Sequence, residues 1–176
     1  QLNVARFSWN TTAMSISLEY TLTGGVGSAV LSESLKIHNN AATGRLAIAL
    51  FDYNDFDLEL GSSFDTVEKL SGSNVHQFDG MYAAGASYAL SPSALQVAGF
   101  PEILSALSND VPDNLDPTLS AYGPGDATFG AQWNAIIDPG ATLSIDMSKT
   151  LAVPEPGSIA ALGLGLLLAR RRKSTC

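Results

Sequence analysis

Met14-Ser15-Ile16-Ser17-Leu18-Glu19-Tyr20-Thr21-Leu22-Thr23 is the stretch that decides the fold. Met14, Ile16, Leu18, Tyr20 and Leu22 alternate with small polar or charged residues throughout. Successive side chains of a strand point to opposite faces, so this period of two specifies a strand with one buried and one wet face. The same pattern recurs on both sides. Ala5, Phe7 and Trp9 alternate with Arg6, Ser8 and Asn10, and Leu46, Ile48 and Leu50 alternate with alanines. Phe56, Leu58 and Leu60 alternate with Asp55, Asp57 and Glu59. Phe129, Ala131, Trp133, Ala135 and Ile137 make a further set, and Leu143, Ile145 and Met147 the last.

The connections read as hairpins. Asp138-Pro139-Gly140 suits a type II turn joining the last two strands, with Pro at the first central position and Gly supplying positive φ at the second. Thr23 to Gly27 separates one earlier pair of strands and His38 to Gly44 another. Many short strands, each with one wet face, predict an all-β antiparallel β-sandwich of jelly-roll-like kind rather than a parallel sheet. One region departs from the pattern. Ser91-Pro92 suits a helix start, and Ile103, Leu104 and Leu107 have helical spacing, so a helical excursion is expected near 91–117. Trp9 and Trp133 fall on apolar registers and are expected in the core. Tyr88 and Tyr122 flank the excursion and are expected at an exposed rim.

The chain has 176 residues, 45% of them hydrophobic, which excludes wholesale disorder. Its net charge of −8 averages two unlike parts. Residues 1–156 hold all 17 acids against Arg6, Lys36, Arg45, Lys69 and Lys149, a net −12. The remaining +4 is Arg170, Arg171, Arg172 and Lys173. An acidic body lacks the basic footprint that nucleic acid needs, so nucleic acid is excluded as a partner. Cys176 is the only cysteine. It can form no internal disulfide, and its place beyond four basic residues supplies neither the base nor the pocket of a catalytic thiol. The sequence starts at Gln1 without a visible signal peptide, and a removed leader is the expectation.

Val153-Pro154-Glu155-Pro156 ends the last strand, because proline cannot extend a hydrogen-bonded ladder. Ile159 to Ala169 follows without a polar side chain, and Arg170-Arg171-Arg172 comes next. As a C-terminal hydrophobic helix this apolar run would reach roughly 16 Å. A bilayer core is about 30 Å thick. Snorkelling arginines and local thinning would let it enter the inner membrane transiently, with the basic end on the cytoplasmic side. Two domains follow: a β-sandwich ectodomain over 1–152 and a sorting or anchor segment over 153–176.

Pro154-Glu155-Pro156, then Gly157-Ser158, a Leu/Gly/Ala-rich run and Arg170-Arg171-Arg172 closely resemble the PEP-CTERM sorting signal. That resemblance implies an exported protein of a Gram-negative bacterium that makes exopolysaccharide. It also implies exosortase as the partner that reads the tail, and removal or exchange of the tail near Pro154-Glu155-Pro156. Val153, Pro154, Glu155, Pro156, Arg170, Arg171 and Arg172 are the sorting residues on this reading. Two prolines hold the segment extended, which suits docking in an enzyme groove. The signal says how the protein is sorted, not what its body does.

In the body, Asp52, Asp55, Asp57 and Glu59 form an acidic run, and calcium prefers several carboxylate oxygens. On a strand, Asp55, Asp57 and Glu59 share one face about 7 Å apart, so an acidic solvated stripe competes with a cage. Asp110, Asp113 and Asp116 recur every three residues in a Pro-containing loop and pose the same choice. Calcium is the one cofactor these residues suggest. His38 and His76 are the only histidines, no Gly-x-Ser-x-Gly elbow occurs, and no catalytic residue is assigned. The expected product is a non-catalytic structural protein of the cell surface or extracellular polysaccharide matrix, with self-assembly as homo-oligomer or filament. The alternative is a carbohydrate-binding module for exopolysaccharide, with or without calcium.

Overall fold

A computed structural model describes residues 3–58, 64–111 and 113–152. Among them, in chain order, are β1 (Val4–Asn10), β2 (Met14–Gly25), β3 (Ser28–Asn39), β4 (Leu46–Asp55), β5 (Asp65–Ser71) and β6 (Asn74–Phe78). Then come β7 (Ala83–Tyr88), β8 (Ala94–Gly99), the helix α1 (Glu102–Ser108), β9 (Ala121–Gly125), β10 (Ala127–Ile137) and β11 (Thr142–Ala152). The strands form an all-β antiparallel sandwich of very unequal sheets. The wide sheet runs β1-β2-β3-β11-β7-β6-β5-β9, and the narrow one β4-β10-β8.

The alternating strands sit where their pattern puts them. Leu35, Ile37, Ile145 and Met147 of the wide sheet face Leu95, Val97, Phe129 and Trp133 of the narrow sheet in one core. The narrow sheet is covered on its other face too. Ala98, Ile103 and Leu115 form a second cluster there, flanked by Phe51, Tyr53 and Leu107. Gly130 permits this close cover, since a Cβ on it would meet Leu115 and Ile103 side chains at 3.2 and 3.3 Å. Burial on both faces explains why residues 127–133 of β10 are buried without a break. Its polar residues are satisfied inside. Gln132 accepts from the Leu115 N–H at 2.8 Å and donates to Asn114 Oδ1 at 2.6 Å. Gln96 accepts from the Asp116 N–H at 2.8 Å, and Lys69 donates to the Pro117 carbonyl at 2.6 Å.

Several local expectations change. Asp138-Pro139-Gly140 does make the expected turn, with the Ala141 N–H on the Asp138 carbonyl at 3.0 Å and Gly140 at φ 71°. It carries the chain from the narrow sheet to the wide one and is not a hairpin. The connection from β3 to β4 crosses the same way. The two crossings lie side by side because β3 pairs with β11 while β4 pairs with β10. Asn39, 1% exposed, ties this corner. Its amide donates to the carbonyls of Gly44 and Ile137, both at 3.0 Å.

Ser91-Pro92 opens no helix. Ala94–Gly99 pairs with β10 as a strand, and the helical excursion is α1 alone, with Ile103 buried beneath it. Leu95, Gln96, Val97 and Ala98 are all buried, which favours a doubly covered strand over a one-faced helix. Phe56–Leu58 keep an alternating burial but leave the ladder after β4. Trp133 is core, at 3% exposure, but Trp9 is not, at 53%. Trp9 points to the inner side of β1, where the narrow sheet does not reach. Tyr88 is buried against Trp133, with ring centroids 5.2 Å apart, and Tyr122 is exposed as expected. The expected C-terminal helix lies outside the described residues. No described helix is long and apolar enough to cross a membrane.

These burials set a contrast that urea unfolding will measure. Phe129→Ala should cost about 3–5 kcal/mol, because its ring is fully enclosed. In dilute monomer, Trp9→Ala should cost under about 1 kcal/mol despite removing a larger side chain.

Candidate functional site

The acidic candidates separate when placed on the fold. Asp52 projects into the sandwich and is consumed there. Lys149 Nζ lies 2.9 Å from Asp52 Oδ1 and 2.9 Å from Glu33 Oε1. Asp52 Oδ2 accepts from Asn54 Nδ2 at 2.8 Å and from the Tyr88 hydroxyl at 3.0 Å. This is an ionic tie between the sheets. Burial works against the Lys149 ammonium, but the charges and hydrogen bonds of Asp52 and Glu33 outweigh it and raise its pKa. One cation serves two carboxylates, and burial lifts Glu33 above the ordinary carboxylate range. The Tyr88 hydroxyl is pushed up too, by burial and by Asp52.

Asp55 and Asp57 point elsewhere and meet a third carboxylate. Ligand oxygens of Asp55, Asp57 and Asp126 lie within 4.8 Å of one another. Asp55 ends β4 opposite Thr128 of β10, and Asp126 occupies the one-residue step between β9 and β10. The Tyr53 hydroxyl donates to Asp55 Oδ2 at 3.2 Å. Burial and the Asp55 charge push the Tyr53 phenol up to about 12. Burial raises the Asp55 carboxyl, and repulsion from Asp57, Asp126 and Asp65 adds to it. Asp126 carries no local signal in the sequence. Only the pairing of β4 with β10, which starts one residue later, brings it in.

Asp110, Asp113 and Asp116 do not gather. Asp113 accepts from Asn109 Nδ2 at 2.8 Å, and Asp116 accepts from the Thr118 N–H at 2.9 Å. Asp110 is exposed. His38 on β3 contacts the Thr142 hydroxyl at 2.9 Å, and His76 lies three strands away on β6, stacked on Phe78. The sorting residues Val153, Pro154, Glu155, Pro156, Arg170, Arg171 and Arg172 lie outside the described residues.

The remaining surface feature is the overhang of the wide sheet. Phe7 and Trp9 are 47% and 53% exposed, with parallel rings at 12° and centroids 6.2 Å apart. Tyr20 meets Phe7 edge-on at 6.0 Å. Farther into the wide sheet, on its outer face over β2, β3 and β11, a groove of about 420 Å³ is lined by Glu19, Thr21, Ser32, Ser34, Asp146 and Ser148. Serine, threonine and acidic side chains line that groove because these are the wet positions of β2, β3 and β11.

The family described as PEP-CTERM protein-sorting motif matches residues 152–173. No curated protein matches the chain. Among solved structures, the Slr1438 protein from Synechocystis sp. PCC 6803 is 12% identical with a TM-score of 0.46. The match covers 86% of this chain and 61% of that one. A kojibiose phosphorylase from human microbiome is 10% identical with a TM-score of 0.37, over 98% of this chain and 20% of that one. A family GH92 α-mannosidase from Bacteroides thetaiotaomicron is 8% identical with a TM-score of 0.34, over 83% and 19%. This chain thus spans about three-fifths of the first and about a fifth of the others. Likeness this distant carries no activity across.

Burial holds Asp55, Asp65 and Glu33 above the ordinary carboxylate range. A carboxyl with a raised folded pKa binds its proton more tightly folded than unfolded. Stability then falls as pH rises from the unfolded pKa through the folded one, and returns on acidification. The net −12 of residues 1–156 acts in the same direction. The thermal midpoint measured in chelator should therefore be higher near about pH 5 than near about pH 7.5. A fall over that acidification would contradict the assignment.

Proposed function

From the premise that this is a PEP-CTERM protein, exported as an exosortase substrate to the cell surface or beyond, we propose that its body is a non-catalytic structural protein of the extracellular polysaccharide matrix that packs against copies of itself. The observation that carries this reading is the uncovered edge of the wide sheet. Every residue of β1 is exposed, and its inner face presents Phe7 and Trp9 where the narrow sheet gives no cover. An edge strand offers a row of backbone donors and acceptors to another chain. The opposite edge is blunted. β9 is only five residues long, contains Pro124 and pairs with β5 through a register shift, all of which discourage strand addition. β1 has a single charged residue, Arg6, already paired with Glu19 at 2.6 Å. Within the wide sheet β1 is the open edge, which favours a two-fold pair through β1, with Phe7 and Trp9 buried at its centre.

A second reading is supported by the same rings. Parallel, exposed Phe7 and Trp9 make a flat platform on which a sugar can stack, which is what a module for exopolysaccharide requires. We further propose that residues 1–152 form the working body and that the segment over 153–176 is transit machinery, cut near Pro154-Glu155-Pro156. The strongly basic end would then leave with it.

Light scattering of the exported protein across a concentration series separates the two readings. The first expects a dimer or larger species that dissociates in Trp9→Ser. The second expects a monomer whose tryptophan fluorescence shifts on adding the host's exopolysaccharide. A monomer indifferent to polysaccharide would contradict both. Intact mass of the protein recovered from outside the cell should show the residues after the Pro154-Glu155-Pro156 region missing. A full-length mass ending in Cys176 would contradict processing.

A further inference from the structure

We propose that the Lys149–Asp52 ion pair is the precursor of a covalent staple between the two sheets: an amide joining Lys149 Nζ to Asp52 Cγ, formed inside the folded chain with Glu33 as proton carrier. The bond is internal, so it stands or falls independently of what β1, Phe7 and Trp9 engage.

The fold holds a nucleophile against an acyl group. Lys149 lies on β11 of the wide sheet and Asp52 on β4 of the narrow one. Lys149 Nζ donates to Asp52 Oδ1 at 2.9 Å, and Asp52 Cγ is one bond beyond that oxygen. Reacting atoms held about 3–3.5 Å apart in one orientation gain effective concentrations of about 10⁵–10⁸ M. Ala86 and Ala131, the cross-strand partners of Lys149 and Asp52, are buried and small, so the two long side chains meet in a tight, largely dry space.

The groups that amide formation needs surround the pair. Glu33 Oε1 is 2.9 Å from the same Nζ, and no other donor reaches it among the described residues. Burial holds the Glu33 carboxyl above the ordinary range, which suits a group that takes a proton and gives it back. Asp52 Oδ2 accepts from Asn54 Nδ2 at 2.8 Å and from the Tyr88 hydroxyl at 3.0 Å. Two fixed donors on the oxygen where negative charge develops are what stabilises a tetrahedral intermediate.

The step needs no outside reagent. A proton passes from the Lys149 ammonium to Asp52 Oδ1, leaving an amine beside a carboxylic acid. The charged pair dominates at rest, because Asp52 and Glu33 hold the ammonium's pKa up, so the neutral pair is a minor form and the bond grows in slowly after folding. The Nζ lone pair attacks Cγ, the N–C bond forms, and the carbonyl π pair moves onto Oδ2. Glu33 takes a second proton from Nζ and delivers it to Oδ1. The Cγ–Oδ1 bond breaks, water leaves with its electron pair, and the pair on Oδ2 restores the carbonyl. Of the three ammonium protons, two leave in the water and one stays on the amide. Two charges vanish from the interior, and Glu33, deprived of its cation, takes a proton from solvent. The reaction runs once per chain and makes no enzyme of it. Its product spans 97 positions of sequence in a chain whose single cysteine excludes an internal disulfide.

Intact mass and a tryptic map of the folded full chain test the proposal. The mass should be lighter by one water than the sequence requires. A succinimide at Asp79-Gly80 loses the same mass, so the map must place the bond. Residues 46–69 contain Asp52 and no internal trypsin site, and 70–149 is the next such fragment. An amide on Lys149 blocks cleavage there, so 46–69 should appear only as a branch on a fragment that runs from 70 through Lys149 uncut. Lys149→Arg keeps the cation but loses the nucleophile, and Glu33→Gln keeps the shape but loses the proton carrier. Each should cut the branched species at least about tenfold, in chains whose tryptophan fluorescence matches wild type. A folded wild-type chain of full mass, cleaved normally after Lys149, would overturn the proposal. So would a water loss confined to Asp79-Gly80, or a branched fragment undiminished in either variant.

Discussion

A wide apolar sheet face that its partner cannot cover is the constraint on which the rest depends. The wide sheet has eight strands and the narrow sheet three. Where they overlap, Phe129, Ile145, Val97 and Val67 are sealed from water, each at 0% exposure. Beyond the overlap, β1 and the tip of β2 carry the same alternating pattern with nothing opposite it. The molecule thus has a conventional core at its centre and an unfinished one at its margin. Aqueous solvent penalises that margin, and a chain of this kind gains by bringing something to it.

The narrow sheet makes the opposite bargain. It is covered twice, by the wide sheet and by α1 with the loop after it, so residues 127–133 of its central strand have no wet face. Buried Gln132 and Gln96 then become straps, holding the covering loop through its backbone. The ionic tie of Lys149 with Asp52 and Glu33 belongs to the same economy. Taking Lys149 away would leave two carboxylates without their cation in a largely dry interior, which is far costlier than losing an exposed pair.

Alternation made the one-faced strands legible, from Met14 to Gly25 above all, because one wet face writes polar residues at every second place. It also placed Phe7 and Trp9 on the right side of β1. Periodicity reports which face is apolar, though, not whether another layer covers that face, and so Trp9 reads as core and lies open. Ala94–Gly99 failed for the complementary reason: a strand dry on both sides has no alternation to show. The Asp138-Pro139-Gly140 turn was readable in its geometry but not in its destination, since a type II turn serves a hairpin or a crossing equally well. Of the acidic run, Asp55 and Asp57 do converge, while Asp52 turns inward, as the period of two requires of its neighbours. Asp126 was invisible because only long-range pairing delivers it. Residues 153–176 carry their meaning in linear order, which is why the sorting motif is readable without any fold.

The most direct measurement of the central claim is amide hydrogen exchange on the exported protein at low and high concentration. If the overhang is an unfinished core, β3, β10 and β11 will be the slowest to exchange at any concentration. Amides of β1 will exchange fast in dilute solution and slow selectively as concentration rises. Protection of β1 equal to that of β3 in dilute monomer, or no concentration dependence in a sample that self-associates, would contradict the account.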